Sequence, residues 1–271
     1  MKNLISLTAI FTFFFSSWHN NVSAVTQSRE AYEKTGHVHW ETNPKQKLVA
    51  LTFDDGPHTE ITPQILDLLA KYDAKATFFI TGNKAVLAPE VVKRTFAEGH
   101  EIGNHTYNHP YSKNITPRKL LEELNSTDEV LKKITGQIPT LYRPVGGLYN
   151  DTIIETAIQN GKEVIMWSWD QDSLDWTHPP AAKMANYIIN GMRPGSITLF
   201  HDWHPSEYSK NSQTVKAVET ILKYLKDNQY KCVTVSELLY RSSKLIPDDV
   251  GMYPDDEGPY PVIGKDSSVK D

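Results

Sequence analysis

The feature that most constrains the fold is a repeated alternation, from Leu48 onward, of short apolar runs with amphipathic helical patterns. The apolar runs have the length and composition of β-strands, and the segments between them place apolar residues three or four positions apart. The predicted strands are 47–53, 76–80, 100–103, 140–143, 163–167, 196–200 and 231–235. The predicted helices are 62–72, 89–98, 116–135, 151–160, 180–190, 213–227 and 236–242. Repeated strand–helix units favour parallel strands with helices outside them, so about seven units predict an α/β fold, as one closed or nearly closed barrel.

The first residues have the pattern of a targeting signal. Lys2 supplies a positive charge, Leu4–Phe15 forms a short apolar core, and small residues lead to Ala24. This pattern predicts a signal peptide over residues 1–24, with an uncleaved N-terminal anchor as the alternative. No later stretch is long and apolar enough for a membrane span. The sequence therefore predicts a secreted, extracellular protein.

The remaining regions and the composition limit the partners. Residues 25–46 are polar and are predicted to be a lead-in, residues 47–243 form the folded domain, and the acidic residues 244–271 are predicted to be a disordered tail. A net charge of −5 gives no basis for binding nucleic acid. The single cysteine, Cys232, excludes an internal disulfide. We expect a monomer.

Two adjacent carboxylates, Asp54 and Asp55, follow the first predicted strand and precede Gly56 and Pro57. Neighbouring side chains at a strand end point in different directions. One carboxylate can therefore bind a cation while the other accepts a proton. The alternative is an ordinary turn, since Asp, Gly and Pro are common turn residues.

Two histidines, His105 and His109, follow the short strand that ends near Gly103. On one helical turn, a separation of four residues places both imidazoles on one face, which is a geometry used for divalent metals. This spacing alone is weak support. With a carboxylate from Asp55, however, it gives three protein ligands and an open position, which is the arrangement of catalytic zinc sites.

Three further segments carry polar groups at strand ends. Arg143 is followed by the glycines Gly146 and Gly147, whose backbone can approach a ligand closely. The segment 172–176 offers a carboxylate that could pair with Arg143 and an indole that could line a pocket. His201 ends the apolar run 196–200. The alternatives are an ordinary ion pair, a packed tryptophan and a core histidine.

Taken together and in order, five segments resemble the motifs of the NodB-homology polysaccharide deacetylases, carbohydrate esterase family 4. The segments are Thr52-Phe53-Asp54-Asp55-Gly56-Pro57, His105-Thr106-Tyr107-Asn108-His109, Arg143-Pro144-Val145-Gly146-Gly147, Asp172-Ser173-Leu174-Asp175-Trp176 and Leu199-Phe200-His201. The resemblance covers residues 47–242 and implies a distorted (β/α)7 barrel, which agrees with the strand count. It also implies a metal-dependent N-deacetylase that acts on N-acetylated glycans.

The resemblance implies a role for each matching residue. Asp55, His105 and His109 would bind the metal, usually zinc, with cobalt or nickel as alternatives. Asp54 would be the general base and His201 the general acid. Arg143 would orient the base, and Asp175 would hold Arg143. The substrate would be contacted by the Gly146 N–H at the oxyanion, and by Trp176 and Leu199 around the acetyl methyl group.

One position departs from the family pattern and leaves sugar placement open. The third motif of the family commonly has an aromatic residue where this chain has Gly146, so a backbone donor remains but an aromatic wall is lost. Trp167, Trp169 and Trp176 could stack on a sugar or pack in the core. The predicted signal peptide and the lack of disulfides fit an enzyme associated with the cell wall. The expected substrate is therefore N-acetylglucosamine in peptidoglycan, with chitin or chito-oligosaccharide and then acetylated xylan as alternatives. A catalytically inactive carbohydrate-binding wall protein is the alternative from another class.

Overall fold

The computed structural model describes residues 26–203 and 212–243. The predicted signal peptide, residues 1–24, and the predicted tail, residues 244–271, lie outside the described residues. None of the described helices combines the length and the apolar character that are needed to cross a membrane.

Nine strands occur among the described residues, and seven of them form one parallel sheet. They are β1 (Val38–His39), β2 (Leu48–Val49), β3 (Leu51–Asp54), β4 (Ala76–Ile80), β5 (Glu101–Asn104), β6 (Leu141–Tyr142), β7 (Glu163–Ile165), β8 (Phe200–His201) and β9 (Lys231–Cys232). The order in the main sheet is β1-β7-β6-β5-β4-β3-β8, and β2 pairs with β9 in a separate parallel pair. The prediction of an α/β fold with parallel strands is confirmed.

From β3 to β9 helices lie between successive strands, as crossover connections require, while the first described helix precedes β1 and the last follows β9. The helices are α1 (Arg29–Glu33), α2 (Ile61–Lys71), α3 (Gly82–Leu87), α4 (Pro89–Ala97), α5 (Pro117–Thr135), α6 (Asp151–Gln159), α7 (Ala181–Gly191), α8 (Gln213–Asp227) and α9 (Val235–Ser242). Local sequence explains several ends. The side chains of Thr116, Asn150 and Ser212 accept hydrogen bonds from backbone N–H groups in the first turns of α5, α6 and α8. Gly136 ends α5 in the left-handed conformation.

Several elements differ from the sequence prediction. The predicted strand 47–53 is divided into β2 and β3, which belong to different sheets, the predicted strand 196–200 contributes only its last residue to β8, and α3 was not predicted. The segment predicted to be a polar lead-in contains α1 and β1, and Val38 of β1 pairs with Val164 at one edge of the main sheet. A strand of two residues is too short to show a hydrophobic period, so sequence reasoning missed it. The last predicted strand, 231–235, contributes only β9, which pairs with β2.

The sheet is buried on both faces. All residues of β3 and β4 are buried, and Phe53, Phe78 and Phe200 pack together under their carboxyl ends. The register places Asp54 directly opposite Phe79 on one side and His201 on the other. The packed core therefore fixes the positions of the last residues of β3 and β8 at this edge of the sheet.

Candidate active site

The predicted site residues meet at the carboxyl edge of the main sheet. Asp54 and His201 are the last residues of β3 and β8, while His105 and Arg143 directly follow β5 and β6. These four strands are parallel, so their carboxyl ends lie on one side of the barrel. That common edge is where α/β barrels gather their functional side chains.

Asp55, His105 and His109 form a cluster whose ligand atoms all lie within 4.8 Å of one another. The Asp55 carboxylate oxygen Oδ1 is 3.3 Å from His105 Nε2 and 2.9 Å from His109 Nε2. The predicted convergence of these three side chains is confirmed. Burial alone would raise the pKa of Asp55, but the two imidazoles lower it well below its usual range.

The two histidines do not lie on a helical turn, so that part of the sequence reasoning is wrong. Residues 105–109 form a loop in which Thr106 and His109 have positive φ angles of 66° and 56°. The buried carboxylate of Glu123 on α5 accepts hydrogen bonds from the backbone N–H groups of Tyr107 and Asn108, at 3.0 and 2.7 Å. These contacts with a distant helix shape the loop, and no local spacing indicates them.

The donor set fits a divalent cation. His105 Nδ1 lies 2.8 Å from the carbonyl oxygen of Arg143 and must donate to it, so in the neutral ring the Nε2 lone pair is directed toward Asp55. Asp55 Oδ1 is a buried carboxylate oxygen that lies close to both Nε2 atoms but forms no hydrogen bond of normal geometry with any described residue. A buried anionic oxygen of this kind needs a cation or a donor. Two imidazoles and one carboxylate are ligands that zinc and similar ions take.

The backbone of Asp55 is held in an unusual conformation. Asp55 has a φ of 75°, and the Lys84 ammonium donates to its carbonyl oxygen at 2.7 Å. Gly56 follows, and a methyl group there would lie 2.2 Å from the carboxylate oxygen Oδ2 of buried Asp202. Burial raises the pKa of Asp202 to about 7. Lys84 and Asp202 thus support the turn that presents Asp55, and the sequence did not single out either.

Asp54 is paired with a fully buried arginine. Arg143 Nη1 donates to Asp54 Oδ1 at 2.7 Å and to Thr52 Oγ1 at 2.6 Å. Its Nε and Nη2 groups donate to the carbonyl oxygens of Ile165 and Met166, at 3.0 and 2.8 Å. Burial lowers the pKa of Arg143, and the charge of Asp54 opposes that effect. The other Asp54 oxygen, Oδ2, lies 3.8 Å from His105 Nε2 and thus faces the cluster.

The predicted pairing of Asp175 with Arg143 is wrong. Within the part of the chain that the structure describes, Arg143 forms no hydrogen bond or ion pair with Asp175. The Asp175 carboxylate instead accepts from His201 Nδ1 at 2.6 Å, from the His201 backbone N–H at 2.8 Å, and from Thr214 Oγ1 at 3.0 Å. The pairing was implied by the family resemblance, whereas in the structure main-chain carbonyls already occupy the Nε and Nη2 donors of Arg143.

This contact sets the charge of His201. Burial alone would lower the pKa of His201, but the negative charge and hydrogen bond of Asp175, with smaller effects from Asp55 and Asp54, raise it to about 10. The imidazole is therefore a cation near neutral pH. Asp175 holds Nδ1, which leaves Nε2 as the N–H that a ligand can reach.

The three predicted substrate contacts differ in exposure. Leu199 is buried, whereas Trp176 is 60% exposed in the short turn that carries Asp175. Gly146 has a positive φ of 59°, and no described residue accepts a hydrogen bond from its N–H. A backbone donor at Gly146 is thus available to a ligand, while contact of Leu199 and Trp176 with an acetyl group remains a prediction.

Trp167 and Trp169, which were expected either to stack on a sugar or to pack in the core, differ in their surroundings. Trp167 packs on Gly147: a methyl group at Gly147 would lie 2.5 Å from Trp167 Cη2. Trp167 also packs against the hydrophobic core. Trp169 is 88% exposed. Packing therefore accounts for Trp167, and a surface contact is open to Trp169.

Comparisons with known proteins agree with this arrangement. Residues 41–165 match the family model described as polysaccharide deacetylase. A peptidoglycan-N-acetylglucosamine deacetylase of Bacillus cereus is 43% identical over 211 residues, which cover 78% of this chain and 97% of that protein. A peptidoglycan-N-acetylmuramic acid deacetylase of Bacillus subtilis is 37% identical over 196 residues, which cover 72% of this chain but only 39% of that protein. A chitooligosaccharide deacetylase of Bradyrhizobium is 30% identical over 200 residues, which cover 71% of this chain and 90% of that protein.

Solved structures give the same result. The crystal structure of a peptidoglycan N-acetylglucosamine deacetylase superposes with a TM-score of 0.73 at 31% identity, covering 78% of this chain and 97% of that one. The structure of a family 4 acetyl xylan esterase from Clostridium thermocellum, in complex with a cobalt ion, superposes with a TM-score of 0.64 at 33% identity. The superposition covers 72% of this chain and 91% of that one.

Proposed function

Because the chain belongs to the polysaccharide deacetylase family and is a hydrolase of carbon–nitrogen bonds in linear amides, we propose that its substrate is N-acetylglucosamine in peptidoglycan. We propose further that it is secreted, that it acts in the cell wall as a monomer, and that it requires a divalent metal, which we take to be zinc. The reaction adds water across the acetamide bond and yields acetate and a free amine on the glycan.

Asp55, His105 and His109 would hold the metal. A divalent cation bound there supplies Lewis-acid polarisation of the acetamide carbonyl and acidifies water. The residues themselves prepare the site for a cation. The hydrogen bond from His105 Nδ1 to the Arg143 carbonyl orients the ring, and Lys84 holds the backbone that presents the Asp55 carboxylate. Cobalt or nickel would suit the same donors.

Asp54 would act as the general base. Its Oδ1 atom is held by Arg143, and its Oδ2 atom faces the cluster of Asp55 and the two histidines. Because Arg143 occupies Oδ1, Oδ2 is the oxygen that remains to accept a proton from the attacking water. General-base catalysis of this kind is typically worth about 10²–10⁴-fold.

His201 would act as the general acid. The Asp175 carboxylate keeps the imidazole charged and oriented, so that Nε2–H can donate a proton to the sugar nitrogen as the carbon–nitrogen bond breaks. An amide nitrogen is a poor leaving group unless it is protonated. Asp175 thus acts on the acid, and Arg143 acts on the base.

The Gly146 N–H would stabilise the developing oxyanion. It has no other acceptor among the described residues, and it follows Arg143 by three positions. Loss of one such donor typically costs about 10²–10³-fold in rate. Leu199 and Trp176, beside His201 and Asp175, would surround the acetyl methyl group.

The observation that carries the proposal is the convergence of a cation site, a base and an acid at one edge of the sheet. Asp54 and Asp55 lie beside the two imidazoles of the cluster, and His201 pairs in register with Asp54. An inactive carbohydrate-binding protein would not need all these groups. This argues against the non-catalytic alternative.

The choice of peptidoglycan is supported by two relatives whose names state that substrate. Chito-oligosaccharide is the second candidate, because a chitooligosaccharide deacetylase covers almost the same segment. Acetylated xylan is the third, because an acetyl xylan esterase shares the fold. The predicted signal peptide supports action outside the cytoplasm.

The test is to measure acetate and free amines released by the zinc-loaded protein from peptidoglycan, penta-N-acetylchitopentaose and acetylated xylan. We expect acetate and amine in equal amounts, fastest from peptidoglycan. Acetate without amine would come from xylan and would indicate an esterase. Wild-type rates in Asp54→Asn, or no acetate from any of the three substrates, would refute the proposal.

A further inference from the structure

The ring of Tyr111 lies directly on the bare backbone of Gly146. A methyl group at Gly146 would lie 2.3 Å from Tyr111 Cε2 and 3.0 Å from Cδ2, well inside van der Waals contact. Gly146 has no side chain, so an aromatic ring from a different loop occupies the space in front of its Cα atom.

The position of this ring is fixed by contacts on both sides of it. The loop after β5 and the loop after β6 run side by side, and three contacts join them in order. His105 Nδ1 binds the Arg143 carbonyl, Tyr111 covers Gly146, and Asn150 Nδ2 donates to the Lys113 carbonyl at 2.8 Å. Residues on both sides of Tyr111 also line one small cavity together with residues of the second loop; these are Pro110, Ser112, Val145 and Leu148.

The ring is nevertheless open to solvent. Tyr111 is 70% exposed although one part of its ring packs on Gly146. It stands two residues after His109, whose Nε2 atom belongs to the metal cluster, and against Gly146, whose N–H has no described acceptor. An anchored aromatic surface therefore lies beside the groups that would hold the reacting acetamide.

We propose that Tyr111 is a substrate-positioning residue that packs its ring against the pyranose of the glycan. This inference rests on the proposed function. Pyranose rings present C–H groups on one face, and an aromatic ring offers a flat, rigid, apolar surface to them. The aromatic wall that is missing at Gly146 is then supplied from the other loop. Gly146 must stay small so that the Tyr111 ring can reach this place.

The test compares Tyr111→Ala, Tyr111→Phe and a matched control, Tyr187→Ala, which removes an exposed tyrosine from the outer helix α7. The probe is penta-N-acetylchitopentaose, with Kd from calorimetry and kcat and KM from acetate release. We expect Tyr111→Ala to raise Kd and KM about ten-fold with a smaller change in kcat, which corresponds to the loss of about 1.4 kcal/mol for one aromatic contact. Tyr111→Phe should match the wild type, and Tyr187→Ala should change nothing.

A second pair of variants tests the exchange between the two positions. Gly146→Tyr should bind the saccharide poorly because its side chain collides with Tyr111. Because Gly146 has a φ of 59°, a side chain there is strained even when Tyr111 is removed, so the double variant Tyr111→Ala/Gly146→Tyr should not regain the wild-type Kd. A double variant with the wild-type Kd would contradict the proposed role of the Tyr111 ring.

The outcomes separate this inference from the proposed function. A wild type that binds the saccharide but releases no acetate from it, from peptidoglycan or from acetylated xylan would refute the function, while the Kd of Tyr111→Ala would still decide the role of the ring. A Kd unchanged in Tyr111→Ala, or a fall in kcat and thermal stability without a change in Kd, would show a structural role only. Absence of saccharide binding by the wild type would overturn the role of the ring, and acetate release from peptidoglycan would then decide the function.

Discussion

Replacing Asp175 with asparagine distinguishes the two ways in which this carboxylate could be connected. The structure joins Asp175 to His201 through hydrogen bonds of 2.6 and 2.8 Å, whereas the family resemblance joins it to Arg143. Asparagine keeps the shape and the Thr214 contact but removes the negative charge. Asp175 is only 1% exposed, so solvent does not screen that charge.

The magnitude follows from the charge of His201. With Asp175 present the pKa of His201 is about 10 against an ordinary 6.5. Loss of one adjacent opposite charge typically shifts a pKa by roughly 1–3 units, here downward. A general acid works only when it is protonated, so the alkaline limb of the activity profile should move to lower pH. We also expect kcat to fall by about 10²–10⁴-fold, the usual contribution of acid–base catalysis.

The assay measures kcat/KM of the zinc-loaded protein from about pH 5 to about pH 11, a range that includes both the ordinary and the raised pKa of histidine. NMR titration of the His201 ring accompanies it. Asp172→Asn is the matched control. It removes the same charge from the same loop, but the Asp172 carboxylate accepts from the backbone N–H of Leu174 and acts on His201 only through its charge, without a described hydrogen bond, so the shift should be smaller. An alkaline limb that is unchanged in Asp175→Asn, or that moves equally in both variants, would refute the reasoning.

Three other perturbations have defined outcomes. Arg143→Met should lower the free energy of unfolding by about 3–5 kcal/mol in urea titrations, because it leaves a buried carboxylate unpaired; the control Arg118→Met, on the exposed face of α5, should change it by less than about 0.5 kcal/mol. Chelation should abolish acetate release, and zinc at about 100 times its Kd should stabilise the protein by about 2.7 kcal/mol. That stabilisation should be lost in His109→Ala and kept in His37→Ala, whose imidazole contacts Glu163 instead, and an equal loss in both would contradict the metal assignment. Intact-mass analysis of the secreted protein should show cleavage after Ala24, and a mass that retains residues 1–24 would indicate the uncleaved anchor.

The sequence was sufficient for the positions of most site residues because parallel strands bring their carboxyl ends together. Asp54, His105, Arg143 and His201 each stand at or just after the end of a predicted strand, so the fold class alone placed them at one edge. The structure adds that Asp54 and His201 are paired in register, because β3 and β8 are neighbours in the sheet.

Contacts between distant segments could not be predicted in this way. The loop that carries His105 and His109 takes its shape from Glu123, which lies on a helix more than ten residues further along the chain. The pairing of Asp175 depends on a short turn that lies beside β8, and two residues of β1 are too few to give a periodic signal. Each of these features depends on tertiary packing, so local pattern carried no information about it.

The acceptors of Arg143 bear on how freely this part of the sequence can change. Two of the oxygens that fix its guanidinium are backbone carbonyls, those of Ile165 and Met166. Every amino acid provides the same carbonyl, so replacement of either side chain leaves both anchors in place as long as the strand persists. The orientation of Asp54 should thus tolerate substitution at residues 165 and 166 far better than at Thr52, where the acceptor is a side-chain hydroxyl.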